Sequence, residues 1–254
     1  MTTNHKDNMR SAVYRSETVL TPANVNVTNF GKVNFFAVDG KVDAQPLYLA
    51  NVSIPGGGTH NVLYVVTEHG SAYAFDADSG AQLWKVTTLG AGESPSDDVG
   101  CSNLTPEIGI TGTPVIDRTR GPNGALYLVA MSKLPGPPGA SATYFQRVHA
   151  LDVATGAELF GGPQTVVASA DGTGSGGTTV DFQPFRYMHR TGLLLVNGVL
   201  YTTWSSHCDQ IPYWGWVIGY SATSLAQTSV LNITPNGSHG AFWMSGSGPA
   251  ADSA

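Results

Sequence analysis

The stretch Leu63-Tyr-Val-Val-Thr-Glu-His-Gly-Ser-Ala-Tyr-Ala-Phe-Asp-Ala-Asp-Ser-Gly-Ala-Gln-Leu-Trp84 holds apolar runs of strand length separated by short polar breaks. Apolar and aromatic runs of this length, bounded by Gly, Asp and Ser, are typical of β-strands joined by tight turns. With the strand-like run and Gly-rich turn that precede it, the stretch predicts four short strands in up-and-down order. These are 44–52, 62–67, 72–77 and 82–86.

The same order recurs twice along the chain. The second copy is predicted at 112–117, 125–130, 148–153 and 157–160, and the third at 191–196, 199–204, 216–221 and 227–231. The anchor pairs Leu63-Tyr64, Leu126-Tyr127 and Leu200-Tyr201 lie 63 and 74 residues apart. Four-stranded units at this wide spacing are typical of the blades of a β-propeller.

We therefore expect blades at about 40–100, 108–170 and 188–235, with the start of a further blade at 243–254. Three blades and a fragment do not close a ring, so we expect an incomplete propeller that belongs to a longer protein. Assembly of several copies and an open arc remain alternatives. Open blade edges would also favour self-association.

Two aspartates stand directly before the predicted turns. Asp76 precedes 78–80 and Asp152 precedes 154–156, and each turn ends in a glycine, which tolerates a positive φ. An aspartate in this place accepts backbone N–H bonds across the turn. We predict a structural role for both.

The pattern from Leu63 to Trp84 closely resembles the blade repeat of the pyrroloquinoline-quinone (PQQ)-like, or quinoprotein alcohol dehydrogenase-like, propellers. Segment 148–156 and the Gly112-Thr-Pro114 start of a first strand are similar to the same repeat. The resemblance covers about residues 40–254 and is closest to an uncharacterised bacterial branch. It implies an all-β propeller and a periplasmic or secreted location.

Well-known members of this superfamily hold PQQ and a calcium ion on the upper face of the ring, so the resemblance implies these two cofactors. Those enzymes also carry two adjacent cysteines, whereas Cys101 and Cys208 are single and far apart. No residue here matches their calcium ligands or catalytic aspartate. The resemblance thus implies the fold strongly and PQQ only weakly, and no catalytic residue is assigned.

The two N-terminal segments differ in pattern. Residues 1–22 are polar and irregular, which predicts a mobile tail, while 23–38 alternates as one or two strands do. No signal peptide is visible at the start.

Bulk composition limits the partners. The net charge is −6 and no basic patch is present, which excludes nucleic acid. No apolar stretch approaches the roughly 20 residues of a membrane span. The 2 cysteines leave open both a Cys101–Cys208 bridge, in an oxidising compartment, and two free thiols.

In a blade, the loop before the first strand and the loop between the second and third strands share the upper face. The cofactor-binding candidates on that face are Glu107, Lys133, His189, Arg190, His207, Asp209 and Trp243. Asp43, Gln45, Glu68, His69, Thr111 and His239 are expected on the same face.

These residue types suit a polar ligand. Arg190 or Lys133 would pair with the carboxylates of a quinone, and an indole of Trp204, Trp214, Trp216 or Trp243 would stack on its ring. Structural alternatives stay open: a solvated turn for Glu68-His69, salt bridges for His189-Arg190, and packing for the aromatic residues. No dedicated metal motif occurs.

The residues and the resemblance lead to three functional hypotheses. The first is a propeller scaffold that binds a ligand or a protein. The alternatives are part of a PQQ- and calcium-dependent dehydrogenase that oxidises an alcohol or a sugar, and a carbohydrate-active enzyme. The expected partner is a small polar ligand or a carbohydrate.

Overall fold

The computed structural model describes residues 1–97, 99–244 and 246–252. Within these ranges the chain is all-β, with several antiparallel sheets, none of which closes on itself. The predicted fold class is therefore confirmed, while the number of blades in the ring stays a prediction. Ser245, Ser253 and Ala254, in the expected start of a further blade, lie outside the described residues.

The first sheet has the predicted up-and-down order. It consists of β1 (Leu47–Ile54), β2 (Gly58–Val66), β3 (Ser71–Asp76) and β4 (Gln82–Thr87). The Gly-rich turn between β1 and β2 has Gly56 and Gly58 at φ values of 72° and 97°, a conformation that glycine adopts without strain.

The second sheet differs from the prediction at two places. Its strands are β5 (Ser94–Pro95), β6 (Val115–Asp117), β7 (Ala125–Leu134), β8 (Thr143–Asp152) and β9 (Gln164–Thr165). Strand β5, which the sequence did not predict, lies within the bounds 40–100 expected for the first blade but pairs with β7 of the second sheet. The fourth strand predicted at 157–160 is wrong: only Glu158 forms an isolated bridge, and the chain turns at Phe160, which has a left-handed φ of 57°.

The third sheet follows a small hairpin. The hairpin consists of β10 (Ser169–Asp171) and β11 (Thr179–Asp181), and the sheet of β12 (Tyr187–Met188), β13 (Leu194–Val196), β14 (Val199–Ser206), β15 (Trp216–Ser221) and β16 (Gln227–Asn232). Both β12 and β13 pair with β14, and the strands of the predicted third copy are confirmed. The described residues contain no helix that would be long and apolar enough to cross a membrane.

The anchor tyrosines tie neighbouring sheets together. The Tyr64 hydroxyl, on β2, donates to the carbonyl oxygen of Val153 at 2.9 Å, and the Tyr127 hydroxyl, on β7, donates to that of Ala222 at 2.6 Å. Both acceptors lie just after the third strand of the next sheet. The Val153 turn is itself held by Asp152, which accepts from the backbone N–H groups of Ala154 and Thr155.

Two apolar cores fill the spaces between the three sheets. Strand β7 serves both: Leu126 and Leu128 belong to the core shared with the first sheet, and Tyr127 and Val129 to the core shared with the third. A strand that is buried on both faces needs apolar residues at successive positions. This explains the continuous apolar sequence at the start of β7.

The N-terminal segments differ from both expectations. Within residues 1–10, Thr3 and Asn4 are buried, and the carbonyls of Met1 and Thr2 accept from the backbone of β1 and β6. Residues 11–35 are all exposed, and no strand forms in 23–38, so the predicted strands are wrong. Alternation alone does not stabilise a strand, because a strand needs a hydrogen-bonded neighbour. The apolar side chains of Phe36 and Val38 pack on the first sheet.

We predict that Tyr127→Phe lowers the free energy of unfolding by about 1–3 kcal/mol, because the carbonyl of Ala222 loses its buried donor. Tyr201→Phe is the matched control. Tyr201 occupies the equivalent anchor position, but its hydroxyl has no hydrogen-bond partner among the described residues, so a change within about 0.5 kcal/mol is expected. Urea unfolding of both variants checks this. Equal losses would contradict the proposed link.

Candidate functional site

The predicted upper-face residues lie around two loops joined by a disulfide. Cys101, between β5 and β6, is bonded to Cys208, between β14 and β15, with the Cα atoms 5.6 Å apart. Of the two alternatives that the sequence left open, the bridge is therefore the one observed. It fixes a loop of the second sheet to a loop of the third.

Arg190, Trp243, Tyr213 and Asp209 form a chain of contacts beside the bridge. The Arg190 guanidinium lies 5.6 Å from the centre of a Trp243 ring, and Trp243 packs edge-on against Tyr213 at 6.2 Å. The Tyr213 hydroxyl donates to the Asp209 carboxylate at 2.5 Å. The structure thus brings three predicted candidates together, but they contact one another rather than an open pocket.

The two histidine candidates are buried between the sheets. Burial lowers the pKa of His189 to about 3 and that of His207 to about 4, so both are neutral at physiological pH. The His207 Nε2 atom lies 3.2 Å from the carbonyl oxygen of Tyr187. A Cβ atom at Gly112 would come within 2.4 Å of His189 Nδ1, so the glycine makes room for the ring.

The remaining two candidates, Lys133 and Glu107, each contact a polar side chain. Lys133 Nζ lies 2.9 Å from the Asp97 carboxylate, and His69 Nδ1 lies 3.0 Å from that of Glu107. Asp97 also accepts from the Tyr144 hydroxyl at 3.0 Å. Asp97 was not predicted, and no local pattern marks it, since its role depends on a strand 36 residues away in sequence.

Glu68 is not in a solvated turn, as its position between two strands suggested, but is 1% exposed. Its Oε2 atom accepts from the Gly109 N–H at 2.8 Å and the Thr111 hydroxyl at 3.0 Å. Burial raises the pKa of Glu68 to about 8, and the neighbouring Asp43 adds to this rise, while the bonds from Gly109 and Thr111 oppose it. The carboxyl group therefore joins the first two sheets largely in its protonated form.

The aromatic candidates for stacking are mostly core residues. Trp204 and Trp216 are completely buried, and Trp214 donates its indole N–H to the carbonyl oxygen of Gly237 at 2.7 Å. Only Trp243 is partly exposed.

The residues present do not fit PQQ and calcium. The described residues contain no group of three or more His, Cys, Asp or Glu side chains that could hold a metal ion. The cavity beside His189, lined by Ile108, Thr111 and Met188 among others, measures about 10 Å³, which is the space of about one water molecule. A tricyclic quinone does not enter such a cavity.

We predict that a Cys101→Ser, Cys208→Ser double variant loses about 2–5 kcal/mol of unfolding free energy, since the bridge closes a long loop of the unfolded chain. The two cysteines are 107 residues apart in sequence. Urea unfolding measures the loss, and reduction of the wild-type chain should give a similar value. Unchanged stability in both experiments would contradict a structural bridge.

Glu68 makes stability pH-dependent. Its pKa rises from 4.5 to about 8 on folding, so between these values the native state keeps a proton that the unfolded chain releases. Its contribution to stability is therefore lost as the pH rises through this window. Glu68→Gln keeps an oxygen that accepts from Gly109 and Thr111, but its amide does not titrate. The variant therefore does not lose stability as the pH rises. We expect the variant to match the wild type near pH 4 and to exceed it by a few kcal/mol near pH 8. A pH-independent difference would contradict the assignment.

Comparisons with known proteins identify likenesses of fold. No family model matches the chain, and no curated protein does. A quinohemoprotein alcohol dehydrogenase from Pseudomonas putida HK5 matches with a TM-score of 0.43 and 16% identity, over 78% of this chain and 21% of the dehydrogenase. BamB from Moraxella catarrhalis matches with a TM-score of 0.23 and 14% identity, over 73% of this chain and 62% of BamB. The chain thus spans less than two thirds of either protein.

Proposed function

We propose that this chain is a non-catalytic scaffold module that binds its partner on a surface of the sheets rather than in a central reaction site. One observation supports this most: the polar residues of the upper face pair with one another or are buried between sheets. Lys133 with Asp97, Glu107 with His69, and Tyr213 with Asp209 are examples. A catalytic acid, base or nucleophile must reach a substrate.

The protonation states of the two buried histidines also favour a scaffold over an enzyme. Neutral His189 and His207 have low pKa values because water is excluded from them, and neither ring lines a cavity large enough for a substrate. A perturbed pKa marks a functional site only when the group also faces an open cleft. Here the shifts result from packing between sheets.

The disulfide supports an oxidising location for the module. Structural bridges persist outside the cytosol and are rare inside it, where thiols are kept reduced. The Cys101–Cys208 bridge is therefore consistent with a periplasmic or secreted protein.

A dehydrogenase function is tested by adding its cofactors. We expect PQQ with calcium to leave the melting temperature of the purified chain unchanged and to give no dye-linked oxidation of alcohols or sugars. A ligand at about 100 times its dissociation constant would stabilise the native state by about 2.7 kcal/mol, a rise of several degrees. A quinoprotein dehydrogenase carried through the same assay is the positive control. A rise in melting temperature accompanied by oxidation would overturn the scaffold proposal.

A further inference from the structure

His189 is a buried polar side chain whose ring has no hydrogen-bond partner among the other described residues. The residue is 4% exposed, and neither its Nδ1 nor its Nε2 atom bonds to another residue in this part of the chain. The ring is neutral, because burial lowers its pKa to about 3. A neutral imidazole carries one N–H donor and one acceptor nitrogen, and a buried polar group that stays unbonded is unfavourable.

The ring lines a small cavity between the second and third sheets. The cavity measures about 10 Å³, which is the space of about one water molecule. Two further polar side chains, Thr111 and Gln146, also line it. The apolar side chains around it are those of Ile108, Val129, Met131 and Met188.

Gln146, on β8, offers the cavity an acceptor only. Its Nε2 atom donates to the carbonyl oxygens of Tyr187 at 2.7 Å and Pro184 at 3.2 Å, so both amide protons are in use. The residue is 1% exposed, which keeps its Oε1 atom away from bulk solvent. An amide oxygen accepts hydrogen bonds and cannot donate them.

Thr111, in the loop before β6, also offers an acceptor. Its hydroxyl proton is used in the 3.0 Å bond to Glu68 Oε2, which leaves the lone pairs of the Thr111 oxygen. Because Glu68 follows β2, this bond connects the side of the cavity to the first sheet.

The three polar groups around the cavity define the chemistry of a guest. The His189 ring both donates and accepts, whereas the Gln146 and Thr111 oxygens accept. An anion cannot donate to the two oxygens, a cation cannot accept from the N–H group, and a non-polar guest bonds to none of the three. A water molecule accepts from the N–H group and donates to both oxygens, and it is small enough for the space.

We propose that this cavity is the binding site of a single internal water molecule that hydrogen-bonds to His189, Gln146 and Thr111. The inference goes beyond the scaffold function and does not depend on it. The water links the second sheet, through Gln146, to the third sheet, through His189. The bond from Thr111 to Glu68 extends the same network to the first sheet, so polar contacts of all three sheets meet at this site.

NMR of the wild-type chain detects the water directly. With ¹³C-labelled valine and methionine methyl groups, we expect cross-peaks from a long-lived water to the methyl groups of Val129, Met131 and Met188. The methyl groups of Val62 and Val66 are the matched control, because they lie in the apolar core between the first two sheets and should give no such peak. Absence of the peaks at all three cavity residues would overturn the proposal.

A second test displaces the water. Val129→Ile lengthens a side chain that lines the cavity by one methyl group. We expect the equilibrium constant for unfolding, measured in urea, to rise at least about tenfold, because His189 loses its partner. An added methyl group that simply filled a dry cavity would stabilise the chain instead, and that result would contradict the proposal.

Overpacking is separated from loss of the water by a second background. His189→Phe keeps an aromatic ring but removes both nitrogens, so Val129→Ile should change the unfolding constant at least about fivefold less in this background than in the wild type. Equal effects in the two backgrounds would overturn the bond to His189. If either variant does not fold, the methyl cross-peaks of the wild type still decide whether the water is bound.

Discussion

The hydrogen bond from an anchor tyrosine to the turn of the next sheet is the contact on which the arrangement of the sheets depends. Tyr64 and Tyr127 project from the second strand of their sheets and reach the carbonyls of Val153 and Ala222. Trp84 reaches the same Val153 carbonyl at 3.1 Å. The turn that Asp152 caps holds that acceptor in place. The packing of one sheet on the next therefore depends on the local structure of this turn.

Close stacking of the sheets has a consequence for the upper face. Loops from neighbouring sheets meet there, and their polar side chains find partners in each other. Glu68 bonds to the loop before β6, while Cys101 reaches Cys208 in the third sheet. Some groups that the sequence offered as ligands contact the neighbouring sheet instead, as Glu107 does through His69. At the edges of β1 and β6, the backbone N–H groups of Tyr48 and Ile116 donate to the carbonyls of Met1 and Thr2.

The sequence predicted what local chemistry determines. Strands such as β7 and the turns after Asp76 and Asp152 depend on residues close in sequence, and these predictions are confirmed. The strand expected at 157–160 failed because the chain turns at Phe160. The pairing of the cysteines, the burial of Glu68 and the partner of Lys133 each depend on a residue from a distant part of the chain, and no spacing rule supplies such information.

The central claim is that the upper face is packed structure rather than an open reaction site. The most direct measurement is an NMR pH titration of the ring nitrogens of His189 and His207 in the folded chain. The account predicts that both rings stay neutral down to about pH 5, because burial lowers their pKa values to about 3 and about 4. Titration of either ring near its ordinary pKa of about 6.5, with a shift on addition of PQQ and calcium, would contradict it.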